Sequence, residues 1–399
     1  MKVFAPFGFY GAGNTGDEAT LQGFARLVEM AGKDMKFTIA SQNPAHTGRV
    51  EPLFKYVPDT RSRLPSLIGD HLSHAYVFAG GTPIQDGLGG WPLDRVAPIV
   101  RHASQWKRPV VFIGVGVEQL KQEGSVAKFR TDIAPTVAYW TVRSASDRQR
   151  LLDMDVPPDR VTVAADMAWL IEPASRVFGR KALAAHIPLD DGRPLVGVNI
   201  NAEQAMLKDS PRMFEILAAA LDRIVSEHRA RVVFLSAEVR EGPTYDLAAG
   251  KRVAALMKDA ADAVVFPNTY LSPPEMMSII GECRLVLSSR YHVCLFAALQ
   301  GTPFLPLKRS DKVADLSADL AWTQGCTIGE MQTDLVARQA HELLQAPEPD
   351  LQRLTSRIRE MRERARINSL GLETLRKEGQ RYSRLEWLRI ALQRVLLVG

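Results

Sequence analysis

At 399 residues, with 46% hydrophobic and 24% charged side chains, the chain has an ordinary globular composition and is long enough for two or three domains, so its core needs no metal or disulfide staple. Its three cysteines, Cys283, Cys294 and Cys326, make neither a disulfide framework nor a metal-like spacing, which favours a reducing, cytoplasmic compartment. A net charge of +5 with scattered rather than clustered basic residues is mild for a nucleic-acid binder and suits a small anionic substrate equally well, so composition alone does not choose between them.

The first residues, MKVFAPFGFYGAGNTGDE, reach glycines too soon to supply the apolar stretch of a signal peptide. No uncharged apolar run approaches the roughly 18 residues of a membrane span. VFAPFGF is the first strand, and residues 17–31 follow as a helix, with Leu21, Phe24, Leu27 and Val28 at helical spacing. KFTIA (36–40), AYVFAG (75–80), PVVFIGVGV (109–117), AYWTVR (138–143) and RVTVAA (160–165) read as buried strands. Helical stretches separate the later ones, near 61–72, 94–106, 125–134 and 144–153. Such alternation predicts a mainly parallel sheet.

Residues 172–193 break the rhythm, with turn signals at Asp190, Asp191, Gly192 and Pro194. The alternation then restarts: PLVGVNI (194–200), a helix at 211–228, RVVFLSA (231–237), a helix at 243–259, and AVVFP (263–267). Ser272-Pro273-Pro274-Glu275 has the form of a capped helix start. RLVLSS (284–289), a helix from Tyr291 to Gln300, and TPFLPL (302–307) complete the series. Helical patterns follow at 348–378 and 381–398. The expected organisation is α/β: a doubly wound Rossmann-like domain at 1–172, a linker at 173–193, a second such domain at 194–325, and C-terminal helices at 326–399. In doubly wound sheets ligands sit beyond the carboxyl ends of the strands, so the loops there are where chemistry is sought.

Four of those loops carry candidates. Gly8-Phe9-Tyr10-Gly11-Ala12-Gly13-Asn14-Thr15-Gly16-Asp17-Glu18 joins the first strand to the first helix. Glycines there allow close backbone approach, and a helix start offers N–H groups to an anion. A tight turn whose acids cap a helix accounts for the same residues. Ala79-Gly80-Gly81-Thr82-Pro83-Ile84-Gln85-Asp86 follows another strand, and Gln85 and Asp86 suit sugar hydroxyls; a plain loop is the alternative. Ser288-Ser289-Arg290-Tyr291-His292 ends a strand and starts a helix. Its Arg offers a fork of donors to phosphate or carboxylate, and its His a proton near neutral pH. Arg143 and Asp166 end two strands of the first half, and Lys308, Arg309, Asp311 and Lys312 follow the last strand of the second; singly, each reads as a solvated loop charge.

Taken together and in order, GFYGAGNTGDEA, GGTPIQD, VR with AADMAWL downstream, SSRYHVCLFAALQGTPFLPL and KRSDKV resemble the polysaccharide pyruvyl transferase family over most of residues 1–320. Ser288-Ser289 stands where that family has Gly-Met, Tyr291 where it has Leu, Ser144 where it has an acid and Met167 where it has Pro. The resemblance implies a fold similar to GT-B glycosyltransferases, with two Rossmann-like domains facing a cleft. It implies phosphoenolpyruvate as donor and a sugar of a cell-surface glycan, or its lipid-linked precursor, as acceptor. The product would be a pyruvate ketal. In this reading Arg290, Arg143 and Lys312, with the loop residues Gly11, Gly13, Asn14 and Gly16, hold the donor. His292 is the acid–base group, Arg290 and Asp17 join it in catalysis, and Gly80, Gly81, Gln85 and Asp86 meet the acceptor. No metal or cofactor is required. A nucleotide-sugar glycosyltransferase and a non-catalytic glycan- or anion-binding relative are the alternatives.

The C-terminal run places Leu385, Leu388, Leu392, Val395 and Leu396 on one helical face, flanked by Arg384 and Arg389. Packing on the protein itself is one expectation. A peripheral contact with the inner face of an anionic membrane is the other.

Overall fold

The computed structural model describes residues 1–32, 34–59, 73–87, 89–258, 260–345 and 348–379. The helix expected at 61–72 and the amphipathic run at 381–398 lie outside the described residues. Contacts divide the chain into two units. Among the described residues, unit 1 takes 1–8, 25–166 and 366–379, and unit 2 takes 9–24 and 167–365.

Unit 1 is built on a seven-stranded parallel sheet of β1 (Lys2–Ala5), β2 (Lys36–Ser41), β3 (Lys55–Pro58), β4 (Ala75–Ala79), β5 (Val110–Val115), β6 (Val137–Val142) and β7 (Val161–Val163). The spatial order is β3-β2-β1-β4-β5-β6-β7, with Lys2 opposite Lys36 and Val3 opposite Ala75. Every residue of β4 and β5 is buried, which is why these segments read as unbroken apolar runs. Phe112 stacks between Phe78 and Trp140, at 4.4 and 4.2 Å. Helix α1 (Thr15–Ala31) follows β1, and the division falls inside it. The sequence left α2 (Pro44–Val50) and β3 unmarked. Helix α3 (Leu93–Gln105) buries Val96, Ala97, Val100 and Ala103. The predicted helix at 125–134 is one α-turn, α4 (Ser125–Lys128), continued as a π-helical turn at Phe129–Ile133. Helix α5 (Ala145–Asp153) is capped by Ser144, whose Oγ accepts from Asp147 N at 3.1 Å.

Unit 2 repeats the plan with β8 (Leu195–Asn199), β9 (Arg231–Phe234), β10 (Ala263–Val265), β11 (Leu285–Ser288), β12 (Phe304–Lys308) and β13 (Cys326–Thr327). Its order is β10-β9-β8-β11-β12-β13, again all parallel, with Leu285 opposite Val196 and Val286 opposite Phe304. Helices α8 (Met213–His228), α9 (Asp246–Leu256), α10 (Pro273–Glu282), α11 (Tyr291–Leu299) and α12 (Asp311–Asp319) alternate with these strands, and α7 (Gln204–Asp209) precedes α8. The expected capping box opens α10: Ser272 N donates to Glu275 Oε2 at 2.8 Å. The 172–193 stretch is not bare linker. It holds α6 (Val177–Ala184), where Gly179 N donates to Ser278 Oγ of α10 at 2.7 Å and a Cβ on Gly179 would strike the Ser278 carbonyl.

The C-terminal helices divide. Helix α13 (Thr333–Leu344) packs Val336, Ala337, Ala340 and Leu344 into the unit 2 core, and α14 (Glu348–Arg366) falls in unit 2 except for Arg366. Helix α15 (Ser369–Gly379) belongs to unit 1 and lies on β5 and β6, where a Cβ on Gly371 would come within 2.7 Å of Ile113 Cγ1. Buried Asn368 fixes that return by donating to Ala165 O at 2.8 Å and accepting from Thr141 Oγ1 at 2.6 Å.

Candidate functional site

In each sheet the strand order reverses direction once, between β1 and β4 in unit 1 and between β8 and β11 in unit 2. Loops leaving the carboxyl ends of those strands flank the natural ligand crevice of such a sheet.

In unit 2 the ends of β8 and β11 are stitched together. Ser288 Oγ donates to Asn199 Oδ1 and Ser289 Oγ to Asn201 Oδ1, both at 3.0 Å. The two serines that depart from the family pattern therefore join neighbouring strands. Arg290 follows, its own N–H held by Ser288 Oγ at 3.0 Å. Its guanidinium forks onto Asp246, with Nε 2.8 and 2.9 Å from the two oxygens and Nη2 2.6 Å from Oδ1, and Nη2 also reaches Glu238 Oε2 at 2.6 Å. Nη1 has no acceptor among the described residues. Burial works against the charge, but Asp246 and then Glu238 outweigh it, so Arg290 is held more firmly protonated than an ordinary arginine. Asp246, wholly buried on α9, also accepts from Asn199 Nδ2 and Ala237 N, each at 2.9 Å.

The opening glycine-rich loop belongs to this unit. Residue 14 pairs with Glu238 as an isolated antiparallel bridge, Thr15 N donates to Ala237 O at 2.8 Å, and Val239 N to Gly13 O at 2.9 Å. Gly13 has φ +81, and a Cβ there would meet Val239 Cγ2 at 2.9 Å, so both conformation and space call for glycine. Asn14 Oδ1 accepts from Gly16 N at 3.0 Å. Gly16 lies directly against His292: a Cβ on it would run into Nδ1. On the other side of the ring, Thr20 Oγ1 stands 3.2 Å from Nε2. His292 is thus gripped by the first turns of α1 while riding on α11.

Asp17 and Glu18 start α1 beside it. Burial pushes the Asp17 carboxyl above its ordinary range, with Glu238 adding to the rise and His292, Lys312 and Arg290 opposing it. Glu18 is fully buried; its Oε1 accepts from Gly11 N at 2.6 Å, while Oε2 has no hydrogen-bond partner among the described residues. Burial, despite the Gly11 bond and with help from Asp17, raises its pKa from 4.5 to about 7. Arg309 adds a further cation, with Nε 3.0 Å from Ser289 O and an ion pair to Glu203. Glu203 in turn is lowered: burial pushes it up, but Arg309, Lys312 and Arg290 prevail. The cluster therefore offers an imidazole, two carboxyls poised to hold protons, and several cations, in one unit.

The other candidates lie in unit 1. Gly80 and Gly81 have φ +68 and +69, and Gly80 N donates to Ile113 O at 2.7 Å. Gln85 is half-buried. Asp86 does not face outward: it is 1% exposed and accepts from Lys121 N and from Gln122 N, the latter at 2.6 Å. Those backbone bonds outweigh the effect of burial and hold its carboxyl below the usual range, so it secures the 117–122 loop. Arg143 is buried; Nη1 lies 3.2 Å from Asp166 Oδ2 and Nη2 2.9 Å from Thr82 Oγ1, and Gly116 leaves room for it. The structure gathers Asp17, Arg290, His292 and Lys312 with Gly11, Gly13, Asn14 and Gly16 in unit 2, and Arg143 with the Gly80–Asp86 loop in unit 1. The sequence reading missed Glu238, Asp246, Asn199 and Asn201, and gave Glu18 only a helix-capping part. Glu238 was within reach, one residue beyond the predicted strand at 231–237; Asp246 was not, since a loop separates it from that strand.

Residues 14–311 match the family model described as polysaccharide pyruvyl transferase. No curated protein sequence matches the chain. Among solved structures, the fold is similar to UDP-GlcNAc 2-epimerase from Neisseria meningitidis bound to UDP-GlcNAc (TM-score 0.61, 13% identity, covering 94% of this chain and 100% of that one). It is also similar to a putative UDP-N-acetylglucosamine 2-epimerase from Listeria monocytogenes (0.58, 12%, 89% and 90%) and a glycosyltransferase from Rickettsia africae (0.54, 10%, 98% and 98%). These likenesses show a GT-B type fold, α/β with two parallel sheets.

Proposed function

The chain belongs to the polysaccharide pyruvyl transferase family, and from that membership we propose that it moves a pyruvyl group from phosphoenolpyruvate to a sugar of a cell-surface polysaccharide or its lipid-linked precursor. The methylene carbon of the donor gains a proton and becomes a methyl group. Two sugar hydroxyls add at the adjacent carbon, the bond from that carbon to the phosphate oxygen breaks, and phosphate leaves with the second hydroxyl proton.

The observation that carries the assignment of roles is the packing of His292 between Gly16 and Thr20, with Asp17 in electrostatic reach. An imidazole so restrained delivers the methylene proton from a fixed position. Asp17, whose raised pKa makes its ionised carboxylate the stronger base, takes a hydroxyl proton as the acceptor attacks. The donor's anionic groups need cations. Lys312 supplies one; Arg290 contributes through Nη1, since its other nitrogens are committed to Asp246 and Glu238. The backbone of Gly11, Gly13, Asn14 and Gly16 lines the donor's approach. Gly80, Gly81 and Gln85 meet the acceptor, with Asp86 holding their loop. Among the described residues no helix is long and apolar enough to cross a membrane. We place the reaction in the cytoplasm, where a lipid-linked acceptor presents its sugars at the inner face.

The test is to incubate the protein with phosphoenolpyruvate and surface-glycan precursors and look by mass spectrometry for a pyruvyl adduct. Release of nucleotide from a sugar nucleotide, with no phosphate from phosphoenolpyruvate, would indicate a glycosyltransferase instead.

A further inference from the structure

Away from these loops, the last turns of α8 and α13 meet at three side chains that carry lone pairs. Glu227 and His228 close α8, and His341 lies in the last turn of α13. Their adjacency is invisible in the sequence, where His341 stands 113 residues beyond His228. His341 Nδ1 is 3.1 Å from His228 Nε2 and 3.8 Å from Glu227 Oε2, and one ligand atom from each residue lies within 4.8 Å of the others. A hydrogen bond between two neutral imidazoles would account for the first distance. It would not account for a carboxylate oxygen turned to the same point.

We propose that Glu227, His228 and His341 form a binding site for a zinc-class divalent cation, with water completing a tetrahedral shell. At Zn–N distances of about 2.0–2.1 Å, two nitrogens of a tetrahedral site stand roughly 3.3 Å apart, a few tenths of an ångström from the separation here. Two imidazoles and one carboxylate suit zinc, nickel or copper; magnesium and calcium call for oxygen-rich shells. The ligands sit on a held scaffold. Helix α8 buries Leu217, Leu221, Ile224 and Val225, and α13 buries Val336, Ala337, Ala340 and Leu344, in one core, so the backbone is in place before any ion arrives. Arg223 holds the far oxygen of Glu227, Oε1, at 3.2 and 3.3 Å, and is itself paired with Asp334 at 2.6 Å. That bond orients Oε2 toward the imidazoles while its charge tempers affinity. None of the three ligands belongs to the machinery proposed for catalysis, so a bound ion would act by tying α13 to α8.

The experiment uses untagged full-length protein stripped of metal, titrated with Zn²⁺ by calorimetry and melted with and without one equivalent of the ion. One Zn²⁺ per chain and a raised Tm are expected. His341→Ala and His228→Ala should each weaken binding on the order of tenfold or more and remove the Tm rise, while His186→Ala leaves both intact. Mg²⁺ should not shift Tm. Co²⁺ bound to the unmutated protein should show the visible absorption of a tetrahedral site, a readout that needs no variant to fold. No saturable Zn²⁺ uptake, uptake undiminished in folded His341→Ala, or a purely octahedral Co²⁺ spectrum would overturn the proposal.

Discussion

The two sheets share one winding plan and equip it differently. Where unit 1 reverses strand order, the strand beside the first one ends in Gly80-Gly81, a backbone turn without side chains. At the corresponding place in unit 2, β11 ends in Ser288-Ser289-Arg290 and runs straight into His292. Each unit also holds a buried arginine on carboxylate: Arg143 on Asp166, and Arg290 on both Asp246 and Glu238. After Arg143, however, comes Ser144, spent as a helix cap, whereas Arg290 is followed within two residues by an imidazole. A shared fold thus does not distribute chemistry evenly. Among the candidate residues, the imidazole and the carboxyls with raised pKa lie in unit 2, while unit 1 holds Gly80, Gly81, Gln85 and the buried Asp86 and Arg143.

The largest effect expected from breaking this asymmetry is on rate. His292→Ala should lower kcat by about 10²–10⁴-fold while Tm holds, and Gln85→Ala should raise the acceptor KM with kcat kept. Equal kcat losses in both variants would erase the distinction between the units. Next come the buried pairs. Arg290→Met removes the cation paired with Asp246, and Arg143→Met the one paired with Asp166; each should cost about 3–5 kcal/mol in denaturant unfolding. Arg290→Lys keeps the charge but loses the fork, and should weaken phosphoenolpyruvate binding by about 1.5–3 kcal/mol in calorimetry.

Glu18 gives a pH signature particular to the opening loop. With its pKa raised from 4.5 to about 7, the folded state keeps a proton that the unfolded chain has lost between those values. Its presence therefore lowers stability progressively as pH rises through that window, and the deficit stays constant above it. Glu18→Gln should match the unmutated protein at about pH 4 and exceed it at about pH 8, by up to about 3 kcal/mol. Stability curves that stay parallel across the window would contradict a buried, proton-holding Glu18. Smallest are the glycine effects. Gly16→Ala pushes on the His292 ring and should cut turnover with little change in Tm. Gly81→Ala meets no atom within 4 Å but sits at φ +69, and should cost about 1 kcal/mol of stability.

Apolar runs made the strands legible, since parallel strands buried on both faces leave continuous hydrophobic segments such as Val110–Val115. Short or half-exposed elements escaped: β3 has four residues of which only Val57 is buried, and α6 carries exposed Val177 and Phe178 in a stretch read as linker. Arg290 and His292 were legible because strand end and helix start adjoin in sequence. Their partners were not. Asp246 reaches Arg290 only after β8 is laid between β9 and β11, and Ser288-Ser289 make sense only once Asn199 and Asn201 stand opposite. The raised pKa of Glu18 depends on burial that no local pattern discloses.

The most direct measurement couples both products. Protein, phosphoenolpyruvate and a fractionated surface-glycan precursor are incubated together, inorganic phosphate is quantified, and the acceptor is analysed by mass spectrometry and NMR. Phosphate released one-for-one with a pyruvate ketal on the sugar, and neither product with His292→Ala, is the expected result. Folded protein that releases no phosphate from phosphoenolpyruvate with any precursor fraction, or that transfers sugar from a nucleotide donor instead, would contradict pyruvyl transfer.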